Sequence, residues 1–128
     1  MIEVGTGFHP ELSGRENVYL AAAIMGLSPQ EVRPYFDDIV EFSGLSTYLD
    51  TPVKRFSSGM FIRLASSIAL ILPIDILLFD ETISIVDADF REKMISYLKD
   101  EISQDVAAII VSHDQHLLER FCSKTVHF

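Results

Sequence analysis

A short apolar stretch that runs directly into two carboxylates constrains this chain more than any other feature. Residues 76–79 read Ile-Leu-Leu-Phe, and Asp80 and Glu81 follow with no polar transition. Four consecutive apolar residues are typical of a buried parallel strand, so its carboxyl end would carry two adjacent negative charges. A divalent metal beside a polyphosphate would balance them, with one carboxylate holding the metal and the other polarising a water. The alternative is a strand followed by a solvated acidic turn.

The alternation of strands and helices after residue 72 predicts an α/β fold with a parallel sheet. We predict buried strands at 76–79 and 107–111, helices at 88–103 and 115–121, and a further strand at 125–128. Ligands of such sheets bind at the carboxyl ends of the strands. His113 follows the second strand, so we expect it beside Asp80 and Glu81. The alternative is a structural histidine.

The first half of the chain is predicted to be mainly helical. Two S-x-x-E capping boxes, at residues 13–16 and 28–31, begin helices that should end at Gly26 and Gly44. Pro34 lies in the first turns of the second helix and is expected to bend it slightly. Shorter features are a strand at 2–4, a loop at 5–10 and a helical turn at 45–49.

A third helix begins within the sequence Phe-Ser-Ser-Gly-Met at residues 56–60 and runs to Leu72, with Arg63 as its only charge. A helix that is apolar on nearly all sides must be buried. Its N-terminus combines two hydroxyls with a glycine, and the free N–H groups and the helix dipole there favour an anion. The alternative is an ordinary serine N-cap.

Composition narrows the class of protein. Hydrophobic residues make up 48% of the 128 residues, which excludes general disorder. The net charge of -9 and the lack of a basic cluster argue against a nucleic-acid partner. A single cysteine, Cys122, fits a reducing compartment, and no apolar run approaches the roughly 20 residues that span a bilayer. The amino terminus does not read as a signal peptide, so we expect a cytoplasmic chain.

In this order the motifs resemble those of the ABC transporter ATPases. Residues 7–17 and 51–60 are similar to the branch that exports polysaccharides, O-antigen and teichoic acid. The resemblance covers nearly the whole chain and implies a partial P-loop NTPase fold, α/β in class. A helical signature region would occupy about residues 14–72. The Walker B, D-loop and H-loop part of the core would occupy residues 73–128.

The resemblance also implies ATP and Mg²⁺ as cofactors and assigns site residues. The matching positions are Ser57, Ser58, Gly59 and Met60 in the signature loop, Asp80 and Glu81 in Walker B, Asp87 in the D-loop, and His113 in the H-loop. Asp80 would hold Mg²⁺, Glu81 would orient or deprotonate the attacking water, and His113 would contact the γ-phosphate.

Two partners follow from the resemblance. A second nucleotide-binding subunit would bind head to tail, so that residues 57–59 of one subunit face ATP held by the other. A membrane permease would be the other partner, which places the chain at the inner face of the cell membrane. The apolar loop from Gly7 to Leu12 would lie beside a cytoplasmic helix of the permease. The alternative is a loop folded onto its own following helix.

The sequence departs from the family in several places. No G-x-x-x-x-G-K-[ST] motif occurs, so the lysine-bearing phosphate loop is missing, and no glutamine stands near Val4. Thr82 replaces a common proline, and Val86 stands where glycine is expected, so the path of the D-loop is expected to differ. We expect a fragment of a nucleotide-binding domain, beginning inside the Q-loop and inactive by itself.

Three functions remain for such a chain. It is part of an ATPase subunit for glycan export, or a catalytically incomplete subunit that offers only its signature loop to a partner's ATP. The third candidate, a DNA-repair ATPase, is disfavoured by the acidic charge and by the export-like residues 7–17.

Overall fold

Six α-helices and two strands occupy the part of the chain that the computed structural model describes, which is residues 7–73, 75–79, 86–101 and 106–126. The elements are α1 (Gly14–Ile24), α2 (Pro29–Val32), α3 (Phe36–Ser43), α4 (Ser58–Ile71), β1 (Ile76–Phe79), α5 (Ala88–Glu101), β2 (Ala107–Ile110) and α6 (Gln115–Phe121). Three short 3₁₀ turns lie at Arg33–Tyr35, Ser46–Tyr48 and Val53–Arg55. The predicted strand at residues 2–4 falls outside the described residues.

Both predicted capping boxes are present. The Ser13 hydroxyl accepts from the Glu16 N–H at 3.2 Å, and Glu16 in turn accepts from the Ser13 N–H at 2.8 Å. Ser28 and Glu31 form the same pair of bonds at the start of α2. These bonds favour the carboxylate form, led by the backbone N–H in each case, and so lower the pKa of both Glu16 and Glu31.

The second predicted helix is divided rather than slightly bent. Helix α2 ends at Val32, a 3₁₀ turn containing Pro34 follows, and α3 starts afresh at Phe36. Proline has no N–H to donate, and its ring would clash with the carbonyl four residues earlier, so the chain tightens there. Gly44 ends α3 with φ +68°, in the left-handed region that glycine adopts without strain.

Helix α4 is buried, as its composition predicts. It packs between α1 and α3, where Leu64 is fully buried and Ile68 nearly so. The surrounding cluster is completed by Val18, Ala21, Ala22, Val32, Phe36, Ile39, Leu45, Leu49 and Leu72. Each large aliphatic side chain removed from water there contributes about 1.5–3 kcal/mol, so this cluster holds α4 in place.

Strands β1 and β2 pair in parallel, with Ile76 opposite Ala107 and Phe79 opposite Ile110. One side of this two-stranded sheet is covered: Leu77 is buried in a second cluster with Phe90, Met94 and Leu98 of α5. The predicted parallel sheet is therefore present.

The prediction that both strands are fully buried is wrong. Ile76 is 64% exposed and Ile109 is 55% exposed, because no described element covers the second side of the sheet. The strand predicted at 125–128 is also not found at Thr125 and Val126, since no described strand lies beside them to pair with. Residues 127–128, and residues 102–103 at the predicted end of α5, fall outside the described residues.

Among the helices described, none is long and apolar enough to cross a membrane.

Candidate functional site

The signature residues form the exposed N-terminus of the buried helix α4. Ser57 is the N-cap, and its hydroxyl accepts from the Met60 N–H at 3.1 Å. The predicted serine cap is therefore present, and it coexists with the features of an anion site. Ser57 and Ser58 are exposed, while Gly59 and Met60 are partly exposed. The first-turn N–H groups of Ser58 and Gly59 have no acceptor within an α-helix, so they point toward solvent or a ligand.

Gly59 is not required by the fold around it. Its φ is not positive, and a Cβ built there would meet only the Ser57 hydroxyl, at 3.9 Å. Neither backbone strain nor crowding among the described residues explains a glycine at this position. The absent side chain instead leaves the backbone N–H groups open to a close approach from outside.

Asp87, a predicted nucleotide-binding residue, is engaged by two groups of its own chain. One carboxylate oxygen accepts from the Phe90 N–H at 2.9 Å and caps α5, and the other accepts from the Arg63 guanidinium at 2.8 and 3.1 Å. The Phe90 N–H first, and then Arg63, hold the pKa of Asp87 below its usual range. Its role toward a nucleotide stays a prediction. Sequence reasoning missed this pairing, since Arg63 was noted only as the single charge in α4.

Val86 precedes Asp87 and is 3% exposed in the cluster beneath α5. The rest of the D-loop, with the predicted change in its path, falls outside the described residues.

His113 lies beyond the carboxyl end of β2. The parallel register ends β1 at Phe79 and β2 at Ile110, so the two strands finish at the same edge of the sheet. His113 is exposed there, in a turn held by the Asp114 carboxylate, which accepts from the His116 N–H at 3.0 Å at the start of α6. The position of His113 after the end of β2 is as the sequence predicts, and its contact with a γ-phosphate stays a prediction.

The predicted metal ligand Asp80 and the predicted base Glu81 fall outside the described residues. Their distances to His113 and to the signature residues are therefore not part of the site geometry. Among the residues that the structure does describe, no group of three or more His, Cys, Asp or Glu side chains could hold a metal. Mg²⁺ binding at Asp80 stays a prediction.

Residues 7–13, which we call the Phe8 loop, fold onto the helices rather than standing free. The Phe8 ring packs against Phe61 in the first turn of α4, with ring centroids 4.9 Å apart. Beneath the loop, the fully buried Asn17 accepts from the His9 N–H at 2.7 Å. His9, Pro10 and Glu11 remain exposed at its tip. The loop backbone is therefore held by its own following helix, α1, through Asn17, whereas the Phe8 ring packs on α4 and the tip stays exposed.

Sequence reasoning missed Asn17. The available signal was an amide side chain directly after a capping box, on the side of α1 that carries Val18 and Ala21 into the core. A polar residue in that place needs partners in order to be buried. The residues that supply them lie in the loop, which a helical pattern does not reveal.

Two known proteins that are similar in sequence to this chain are ATP-binding proteins of export systems. The chain is 40% identical over 126 residues to an O-antigen export system ATP-binding protein from Klebsiella pneumoniae, covering 98% of this chain and 51% of that protein. It is 35% identical over 126 residues to a teichoic acids export ATP-binding protein from Lactococcus lactis, covering 98% of this chain and 27% of that protein. The chain thus spans about half the length of the first relative and less of the second. No protein-family profile matches it.

Two solved structures share its fold. An ATP-binding subunit of an ABC transporter superposes with a TM-score of 0.79 at 22% identity, covering 89% of this chain and 48% of that one. A dimeric ATP-binding cassette in a post-hydrolysis state with ADP and Pi superposes with a TM-score of 0.74 at 22% identity, covering 94% of this chain and 53% of that one. The predicted α/β fold, that of part of an ABC ATPase domain, is confirmed. Over the residues that it covers, the chain is a homologue of the ATP-binding proteins of O-antigen and teichoic acid export, with the fold of an ABC-transporter ATP-binding subunit.

Proposed function

We propose that this chain is part of an ATP-binding and ATP-hydrolysing subunit of an ABC exporter that carries a polysaccharide or a lipid-linked glycan. The observation that carries the proposal is the N-terminus of α4, where Ser57, Ser58 and Gly59 are presented outward by a helix whose body is buried. The glycan class is supported by the relatives, whose names specify O-antigen and teichoic acid export.

The signature residues act on ATP held by a second subunit. The helix dipole and the free N–H groups of Ser58 and Gly59 favour a phosphate, and the missing side chain of Gly59 allows it to come close. The 128 residues themselves contain no lysine-bearing phosphate loop, so the phosphate that these N–H groups meet would be held by residues outside them. The dimeric cassette with ADP and Pi supports a two-subunit arrangement for proteins of this fold.

The remaining roles follow the same arrangement. Asp80 would hold Mg²⁺, which would neutralise charge on the β- and γ-phosphates when bound. Glu81 would orient or deprotonate the attacking water, and His113 would hydrogen-bond the γ-phosphate from the carboxyl end of β2. A membrane permease is the second partner, and the subunit works at the inner face of the cell membrane. The exposed tip of the Phe8 loop, at His9 and Pro10, is the part open to the permease.

A second candidate function is that of a catalytically incomplete subunit, which lends its signature loop to a partner's ATP and hydrolyses none itself. The 128 residues contain no Walker A motif, so by themselves they offer only the signature half of such a site. In both functions residues 57–59 face ATP held by a partner. The functions differ in whether Glu81 acts on a nucleotide held by its own chain.

The test uses a restored chain, in which the amino-proximal segment of the Klebsiella pneumoniae relative precedes residue 1. Glu81→Gln is introduced to slow hydrolysis, and ATP-dependent dimer formation is followed by analytical ultracentrifugation. Ser58→Arg should abolish the dimer, because the guanidinium fills the space of the partner's γ-phosphate, while calorimetry still detects ATP binding to the monomer. Ser46→Arg, an exposed serine in a 3₁₀ turn, is the matched control and should leave both unchanged. Undiminished dimers with Ser58→Arg, or loss of ATP binding by its monomer, would refute the proposal.

A further inference from the structure

The Phe8 loop is hydrogen-bonded to residues 49–56, the segment that precedes the signature helix α4. We call residues 49–56 the lead-in segment. The Lys54 N–H donates to the Pro10 carbonyl at 3.0 Å, and the Val53 N–H donates to the Leu12 carbonyl at 3.0 Å. An isolated antiparallel bridge joins Ser13 to Pro52 beside them. An exposed ion pair between Lys54 and Glu11, at 2.7 Å, adds a side-chain contact between the two segments.

The start of α1 is attached to the same lead-in segment. The Gly14 N–H donates to the Thr51 carbonyl at 3.2 Å, and the Arg15 N–H donates to the Leu49 carbonyl at 2.9 Å. These two N–H groups belong to the first turn of α1, where the helix itself supplies no acceptor. A Cβ at Gly14 would lie 3.1 Å from the Leu49 carbonyl oxygen, so this close approach depends on the glycine.

Asn17 holds the Phe8 loop from beneath. Its carbonyl oxygen accepts from the His9 N–H at 2.7 Å, and its amide nitrogen faces the carbonyls of His9, Leu12 and Ser13 at 3.1, 3.1 and 2.9 Å. Two N–H groups therefore serve three acceptors. The side-chain orientation is unambiguous, because carbonyls only accept and the His9 N–H only donates. A fully buried amide with this many partners is costly to remove.

The Phe8 loop also contacts the signature helix directly. The rings of Phe8 and Phe61 pack at 4.9 Å with an interplanar angle of 58°. Phe61 directly follows Met60, and its N–H donates to the Ser57 carbonyl at 3.0 Å in the first turn of α4. The loop thus reaches the signature residues along two routes, one through the lead-in backbone and one through the Phe8 ring.

We propose that Asn17 is a positioning residue for the signature motif. By holding the Phe8 loop in one conformation, it makes the loop, the lead-in segment and the first turn of α4 move as one unit. A push on the exposed tip at His9 and Pro10 then displaces the N–H groups of Ser58 and Gly59. The effect of this unit on ATP rests on the proposed role of the signature residues. Whether its three parts move together can be tested without a nucleotide.

The first experiment measures amide hydrogen exchange by NMR on the 128-residue chain. Asn17→Ala should speed exchange of the Val53 and Lys54 amides by at least about tenfold, because the loop that supplies their acceptors opens locally, and of the Phe61 amide likewise, because the first turn of α4 opens with the loop. Amides in the middle of α5 should keep their wild-type rates. Ser43→Ala is the matched control: this serine is also fully buried, and its hydroxyl bonds the Val40 carbonyl and the Leu45 N–H. It should speed exchange at Leu45 and leave Phe61 unchanged.

Several outcomes would overturn the inference. One is faster exchange at Val53 and Lys54 with Phe61 at the wild-type rate, since the loop would then open without the signature helix. Equal acceleration of all amides, or acceleration of Phe61 by Ser43→Ala, would mean general destabilisation. If Asn17→Ala does not fold, Phe8→Leu replaces it: loss of the ring contact must speed exchange at Phe61, and an unchanged rate refutes the proposal.

A second readout separates positioning from mere stability. In the restored chain with Glu81→Gln, Asn17→Ala should weaken ATP-dependent dimer formation by about tenfold at a temperature where the variant is folded, the loss expected for one displaced phosphate contact. Ser43→Ala should not weaken it. Equal weakening by both variants would contradict the inference. Dimer formation that is insensitive to Ser58→Arg would instead refute the proposed function, so the two failures are distinguishable.

Discussion

Arg63 and Asp87 form an ion pair that joins the second turn of the signature helix to the residue that caps α5. The guanidinium approaches one Asp87 oxygen at 2.8 and 3.1 Å, and it also lies over the Phe90 ring, 5.0 Å from the centroid. One arginine therefore links α4 to the start of α5, the helix that packs against β1. The partners lie 24 residues apart in the sequence.

This ion pair predicts an acid-sensitive contribution to stability. The folded-state pKa of Asp87 is lowered, first by the Phe90 N–H and then by Arg63, so its stabilisation is fully present above the usual aspartate value of about 3.9. It is lost as the pH falls through the lower, folded-state pKa. Asp87→Asn keeps an oxygen for the Phe90 N–H and removes the charge. The melting temperature of this variant should lie below wild type at pH 7 and approach it at about pH 3.

Asp89→Asn is the matched control for this prediction, since Asp89 is an exposed carboxylate in the first turn of the same helix. Its melting temperature should follow wild type more closely at both pH values. A gap between wild type and Asp87→Asn that is equally large at pH 7 and pH 3 would contradict the assignment to the charge of Asp87.

The body of α4 should be the most sensitive part of the described core. Leu64 is fully buried between α1 and α3, so Leu64→Ala removes apolar contacts and leaves a cavity. We expect a loss of about 2–5 kcal/mol in the free energy of unfolding, measured by urea denaturation. Ile24→Ala, at a side chain that is 53% exposed, should cost much less. Similar losses at the two positions would mean that α4 is not held as described.

Glu81 should be required for chemistry and not for binding. In the restored chain, Glu81→Gln preserves the shape of the side chain and removes its charge and basicity, so ATP turnover should fall by about 10²–10⁴-fold. Nucleotide should remain bound, as measured by calorimetry alongside phosphate release. Asp75→Asn, an exposed carboxylate just before β1, is the control and should turn over ATP normally. Near-normal ATP hydrolysis by the Glu81→Gln variant would refute the role assigned to Glu81.

The 128-residue chain by itself should bind Mg-ATP weakly or not at all. The carboxylates of Asp80 and Glu81 repel phosphate, and the lysine-bearing loop that would offset them does not occur in the sequence. Calorimetry on the chain should show no micromolar binding, and the restored chain should show it. A micromolar affinity in the unrestored chain would contradict the prediction and point to a phosphate site that uses other residues.

The amino-acid sequence by itself determined the features that depend on near neighbours. The two capping boxes join residues three apart, so Ser13 with Glu16 and Ser28 with Glu31 are visible as a spacing. The burial of α4 follows because a helix with one charge in its body has no polar side to offer to water. The parallel pairing of β1 with β2 follows from the helix between them.

Only the tertiary structure decided which distant groups meet. Asn17 donates to carbonyls of the loop that precedes its helix, and Arg63 donates to Asp87, which lies beyond strand β1 in the sequence. Packing of the helices against one another and against the sheet brings these groups within hydrogen-bond distance. The exposure of Ile76 and Ile109 could likewise not be predicted from their apolar sequences, since burial of a strand depends on which elements cover the sheet. Periodicity reports which side of an element is apolar, whereas contacts across the fold determine what that side touches.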